Sequence, residues 1–210
     1  MVVVSVAPSR QEQKERTREA ILNAALDLSR DHGFAQISLR QVARQAGVVP
    51  TAFYRHFDSM DELGLALVER SFLTLRTMIR EAQGDPDVLD NIIEASAEVL
   101  VRVVKQNRMH FAFVARERAS GSAAVREAIQ RELELFISEL AVVLARLPHL
   151  DRWSSDDVKM ASGLFVRNMV YRAEQVVQMP EGRPDREEEI TRKAQREMRL
   201  IVLGFEKWES

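Results

Sequence analysis

The chain has 210 residues, a length for one or two domains, and its 46 % hydrophobic and 30 % charged residues leave enough apolar mass for a core. It has no cysteine, which excludes a disulfide framework, a thiolate zinc site and a cysteine nucleophile. The formal net charge of −2 argues against wholesale coating of nucleic acid but leaves room for a local basic surface. No stretch approaches the ~20 apolar residues of a membrane span, so a cytoplasmic protein without membrane insertion is expected.

Residues 1–7 are apolar but lack a basic lead and are too short for a signal core, so residues 1–9 are read as a flexible arm. Glycine (8) and proline (6) are scarce, and helical periodicity fills the gaps between them, which predicts an all-α fold of about nine helices. The first helix is expected from Gln11 to His32, with Ala20, Ile21, Ala24, Ala25 and Leu28 as its apolar stripe and Gly33 as its stop. Ser38 with Gln41 has the spacing of a capping box and opens a second helix that ends at Gly47. A short third helix is expected over 49–56, with Pro50 in its first turn. Ser59 with Glu62 repeats the capping pattern and opens a fourth helix, Met60 to about Ala82. The breaker run Gln83-Gly84-Asp85-Pro86 then marks a boundary. The division is an arm (1–9), a helix-turn-helix domain (10–57), a connecting helix (58–84) and a C-terminal domain (85–210).

Five more helices are expected, at about 87–105, 108–118, 122–146, 155–178 and 185–208. The third of these carries Val125, Ile129, Leu133, Phe136, Ile137, Leu140 and Leu144 on one face. The last carries Ile190, Ala194, Met198, Ile201, Phe205 and Trp208 at three- and four-residue spacing, a seam suited to another helix. Glu188 with Arg192 and Glu189 with Lys193 are spaced as ion pairs on its solvated face.

Chemistry concentrates between residues 38 and 56. Two short helices joined by a tight turn at Ala46-Gly47-Val48 can cross each other, with Val42, Ala43, Val48 and Phe53 inward, leaving the second free to enter a major groove. Pro50, Thr51 and Ala52 then lie at its start, where base edges are reached. Tyr54 and His56 can hydrogen-bond phosphates, and Arg55 suits phosphate or guanine. Ser38, Arg40 and Gln41 lie at the start of the supporting helix, with the Arg40 charge toward the backbone. Residues 1–57 hold eight Lys/Arg against five Asp/Glu, a net of +3, and the remainder carries −5. On spacing alone, a plain hairpin with a solvated polar face is a rival.

The stretch from Thr17 to Leu67 resembles the DNA-binding domain of the TetR family. The matching strings are Ala24-Ala25, Gly33-Phe34, Ser38-Leu-Arg, Val42-Ala-Arg-Gln-Ala-Gly-Val48, Phe53-Tyr-Arg-His-Phe57 and Asp61-Glu-Leu63. The resemblance implies a one-component regulator that binds palindromic operator DNA as a homodimer. It places Arg40, Pro50, Thr51, Tyr54, Arg55 and His56 at DNA-contacting positions. Many members carry a phosphate-touching lysine near the start of helix four; here Met60 stands there. Within the family, Pro50–Phe57, Asp61-Glu-Leu-Gly-Leu65 and Arg116-Glu-Arg-Ala-Ser-Gly-Ser-Ala-Ala124 resemble the DesT/FabR-type regulators of unsaturated fatty-acid synthesis. That resemblance implies long-chain acyl-CoA as the effector, with no resident cofactor.

An acyl-chain sensor needs an elongated apolar cavity with a polar mouth. Phe111, Phe113, Val114, Phe136, Leu140, Phe165 and Met169 are candidates for the lining, each with ordinary core packing as its rival. Arg116 and Arg118 are candidates for the carrier phosphate or the thioester carbonyl, Arg167 and Arg172 weaker ones; Glu117, Glu139 and Glu174 are the alternative, structural partners. The four histidines (32, 56, 110, 149) have no metal spacing, and no catalytic fingerprint is present, so neither a metal site nor an enzyme is expected. Helices 155–178 and 185–208 are the expected dimer interface, with Trp153, Tyr171, Phe205 and Trp208 as anchors or, alternatively, as core. Other readings are a TetR-like repressor of another hydrophobic ligand, such as a drug or an autoinducer, and a helical lipid carrier without DNA binding.

Overall fold

The computed structural model describes residues 9–30, 32–83, 92–146, 150–205 and 208. All regular structure in them is helical, as the periodicity predicts: α1 Arg10–Leu28, α2 Leu39–Gln45, α3 Pro50–Phe53, α4 Met60–Gln83, α5 Ile92–Gln106, α6 Arg108–Ser120, α7 Ala123–Leu144, α8 Ser155–Gln178 and α9 Pro184–Phe205. Single 3-10 turns at Phe34–Gln36 and Leu150–Arg152 complete them. The expected start of a helix at 87 and the boundary run 84–86 lie outside the described residues.

Local chemistry sets most of the ends. Ser9 begins α1 with a full capping box to Glu12, and Ser38 begins α2 with one to Gln41. α1 stops at Leu28, a turn earlier than the glycine suggests. Ser29 is buried and folds its hydroxyl back onto the Leu26 carbonyl at 2.7 Å. Gly33 has ordinary extended backbone and opens the 3-10 turn instead. Gly47 is the true stop signal. It sits at φ +68°, and the Val48 N–H reaches the Ala43 carbonyl at 2.9 Å while its own N–H reaches Arg44. This Schellman closure needs a left-handed residue, which glycine supplies without strain. The box at the start of α4 is shared differently: the Ser59 hydroxyl accepts from the Glu62 N–H, whereas the Glu62 carboxylate accepts from the N–H of Asp58.

One core runs through the head and into the body. Ile21, Leu22, Ala25, Phe34, Val42, Phe53 and Phe57 of the head join Leu63, Leu67 and Phe72 of α4 and then Phe113, Val125 and Ile129. Smaller clusters hold α5, α8 and α9 together around Val104, Val176 and Ile190, and around Ala97, Ala194 and Met198. At the far end, Trp153 stacks edge-on against Phe205 with ring centres 5.2 Å apart and lies 6.4 Å from Trp208, while Phe165 meets Phe205 at 5.9 Å. Three of the four expected anchor aromatics therefore pack on each other within the chain. Tyr171 remains 53 % exposed. α9 is helical only to Phe205, and Trp208 lies past it.

Candidate nucleic-acid interface

The geometry begins with α2. Val42 and Ala43 face inward and are fully covered, so Arg40 and Arg44 are carried on the outside. After the Gly47 turn, Pro50 takes the first position of α3, where its missing N–H costs nothing. Regular α-helix covers only Pro50–Phe53, shorter than the spacing predicts. Arg55 N–H to Ala52, His56 N–H to Phe53 and Phe57 N–H to Phe53 continue the spiral as a turn. Phe53 and Phe57 are buried with ring centres 5.7 Å apart, and they pin both ends of this element to the head. Their burial forces the residues between and before them outward. Pro50, Thr51 and Arg55 are exposed, Tyr54 is 58 % exposed with its ring edge-on to Phe53, and Ala52 is partly covered.

Not every candidate contact is equally free. Gln41 spends its Oε1 on the Ser38 N–H and hydroxyl at 2.8 and 2.7 Å, so Ser38 and Gln41 first serve to fix the start of α2. Arg40 and Thr51 have no such commitment. His56 is half-buried, and its Nδ1 is enclosed without a hydrogen-bond partner. Burial, then the charges of Lys14, Arg18 and Arg55 against the opposing pull of Glu15, hold its pKa below the usual histidine value. A neutral imidazole can still donate one N–H to a phosphate oxygen. Met60 is partly covered against the core, so the first side chain of α4 offers no cation there.

The nine candidate effector residues fall into separate groups. Phe113 is buried and meets Phe34 edge-on at 5.9 Å, in the joint between body and head. Phe111, Val114 and Phe136 lie on the margin of that same core. Phe136 rests against Phe72 under the Arg76 guanidinium, whose carbon is 4.7 Å from its ring centre. Phe165 and Met169 sit by Ala194 and Met198, and Leu140 joins Phe165 near Trp153. Arg118 pairs with Glu174, one of the structural partners the sequence offered, and Arg172 pairs with Glu197, which it did not. A cleft of about 550 Å³ between α5 and α9 holds none of the nine; Glu98, Val101, Arg102, Lys105 and Glu187 are among its lining residues.

The string Arg116–Ala124 turns out to be a joint. The Arg116 guanidinium donates to the carbonyls of Ser29 and Arg30 at 2.7 and 3.1 Å. Glu117, 1 % exposed, accepts the Phe34 N–H at 2.9 Å. Ser122 donates to Asp61 at 2.9 Å. Gly64 of α4 completes it, because a Cβ there would lie 2.8 Å from both Phe34 and Val125. The four hydrogen bonds span 61 to 87 positions of chain and the Gly64 contacts 30 or more, so no local signal in the sequence pointed to them.

A buried helical scaffold presenting a short outward helix after a glycine-closed turn has the architecture of a helix-turn-helix DNA-binding unit. Residues 21–67 match the family described as bacterial regulatory proteins, tetR family. The whole chain is similar to solved structures across nearly their full lengths. A putative TetR-family transcriptional regulator from Syntrophomonas wolfei is 17 % identical, with 90 % of this chain and 96 % of that one covered and a TM-score of 0.70. The fatty acid degradation regulator FadR from Bacillus halodurans is 14 % identical, with 89 % and 94 % covered and a TM-score of 0.67. SmeT in complex with triclosan is 20 % identical, with 90 % of each chain covered and a TM-score of 0.68. Residues 21–67 thus match the DNA-binding domain of that family, and the chain as a whole shares the fold of these proteins.

Proposed function

We propose that the protein is a dimeric repressor whose affinity for a palindromic operator is set by a hydrophobic effector, with long-chain acyl-CoA as the effector. The carrying observation is the exposed Pro50–Arg55 face, held up by Phe53 and Phe57 and tied by Glu117 and Arg116 to the body. Dimerisation is assigned to α8 and α9. Met160, Leu164 and Tyr171 on one and Leu200 and Leu203 on the other are each between 43 % and 71 % exposed, an apolar surface that a second copy would cover. Two heads related by a two-fold axis would read half-sites about one DNA turn apart, ~34–36 Å, or a multiple.

The effector acts by binding two arrangements of the dimer unequally. A displacement of α6 or α4 reaches the head through the Arg116, Glu117, Ser122 and Gly64 contacts and resets the separation of the two recognition elements. Acyl-CoA is supported by the DesT/FabR-like strings and by the apolar residues of α6, α7 and α8. The fold shared with a fatty acid degradation regulator is compatible with it. A different hydrophobic ligand is the second reading, favoured by the separate grouping of the candidate lining residues and by the fold shared with a triclosan-bound protein.

Selection of a duplex from a random library by the full-length protein tests the DNA part, with an inverted repeat as the expected product. Operator affinity is then measured with oleoyl-CoA and palmitoyl-CoA. Unequal effects support acyl-CoA. Identical affinities with and without both would remove it and leave the second reading.

A further inference from the structure

The first two turns of α1, residues 10–16, are all exposed. On one face of the helix, positions 14, 18, 21 and 25 follow each other at four- and three-residue spacing. Ile21 and Ala25 are fully buried in the head. The next two positions on that face are Lys14 and Arg18, so the apolar stripe gives way to a cationic one. Arg18 lies against the end of the recognition element, its guanidinium carbon 5.3 Å from the centre of the Phe57 ring. Lys14 and Arg18 both act electrostatically on the adjoining His56, with Arg55 on the same side and Glu15 opposing.

Among the described residues neither cation comes within ion-pair distance of a carboxylate, although Glu15 lies near enough to oppose them at His56. Two of the four carboxylates of α1 are engaged elsewhere: Glu12 caps the Ser9 N–H at 2.7 Å, and Glu19 pairs with Arg70 at 3.1 Å. Like charges are unfavourable to concentrate without a counter-ion, and these sit beside the end of the recognition turn.

We infer that Lys14 and Arg18 form, with Arg55 and His56, a second phosphate grip: a site for the DNA backbone where α1 meets the end of the recognition turn, standing in for the cation that Met60 does not supply. This rests on the operator-binding reading above and names which backbone contacts carry it. Phosphate contacts position the protein without reading sequence, so the grip contributes affinity and salt dependence and no base preference.

The test uses the full-length protein and the duplex it selects. Binding is measured by anisotropy at KCl concentrations from about 50 to about 200 mM for the wild type, for Lys14→Gln and for the double variant Lys14→Gln/Arg18→Gln. Each phosphate contact contributes about 0.9 to the slope of log affinity against log salt, so four cations per dimer contribute about 3.6. The advantage of wild type over the double variant should then shrink roughly 150-fold across that fourfold range of salt. Lys14→Gln alone, a residue with no packing role, should remove about 1.8 from the slope. Discrimination between the selected duplex and single-base variants should stay unchanged, and the charge-keeping pair Lys14→Arg/Arg18→Lys should restore the slope. Wild type that binds selectively, together with a Lys14→Gln slope equal to its own, overturns the grip alone. Wild type without selective binding overturns the operator reading on which it rests.

Discussion

Gly64 offers the sharpest numerical test of how the head is seated. A Cβ at this position lies 2.8 Å from Cε1 of Phe34 on one side and 2.8 Å from Cγ2 of Val125 on the other. Carbon atoms pack at about 3.5–4.0 Å, so both neighbours must retreat by about 0.7 Å or more, in different directions. Neither has room. Phe34 is 4 % exposed, edge-on to Phe113, and its N–H is held by Glu117; Val125 is fully buried in the first turn of α7. Two effects compete in Gly64→Ala. Helix propensity favours alanine by about 1 kcal/mol. Overpacking of a filled core costs about 1–3 kcal/mol. The clash wins by about 1 kcal/mol, which for a chain of this size lowers the melting midpoint by about 2–4 °C. Scanning calorimetry at one fixed protein concentration reads the difference. Gly204→Ala is the control, the same change in a helix with nothing within 4 Å of the new Cβ, and it should lose no stability. A Gly64→Ala midpoint at or above that of wild type would show that the head is not wedged against α7.

Tyr54→Ala and Arg55→Ala should weaken operator binding by tenfold or more in a titration. They should leave the midpoint within about 1 °C, because exposed side chains contribute little to stability. Gly47→Val should cost about 1–2 kcal/mol in urea unfolding, since a branched residue resists the φ of +68° that closes α2; an unchanged midpoint would argue against the Schellman turn. Stability should also fall on mild acidification. His56 and His110 have folded pKa values held below the ordinary 6.5, chiefly by burial, so the folded state binds fewer protons than the unfolded chain. Their contribution is complete above pH 6.5 and is lost as the pH drops through the folded values, whereas the depressed pKa values of Glu197 and Asp185 act only in a more acidic window. At His110 the Ser71 hydroxyl already donates to Leu67, so the imidazole Nδ1–H donates to Ser71 at 2.9 Å. His110→Gln should therefore flatten the stability profile between about pH 7.5 and 5.5, and a profile as steep as that of wild type would reject buried His110 as a cause.

What the sequence determined alone was local or periodic. Ser38 with Gln41, Gly47 with its left-handed turn, and Pro50 at the head of α3 act through hydrogen bonds a few residues long, so their spacing is their structure. The burial of Phe53 and Phe57, and with it the exposure of Tyr54 and Arg55, follows from helical phase. Where a local signal competed with a distant one, it lost. Gly33 has a helix-stop composition, yet α1 ends at Leu28, since Ser29 and Arg30 turn their carbonyls to Arg116. Only the tertiary structure decided what Arg116–Ala124 does. Arg116, Glu117 and Ser122 reach partners 61 to 87 positions away, a pairing that no periodicity encodes. The grouping of Phe111, Leu140, Phe165 and Met169 was equally illegible, because an apolar side chain at helical spacing fits a core and a cavity wall alike, and the neighbouring helices choose between them.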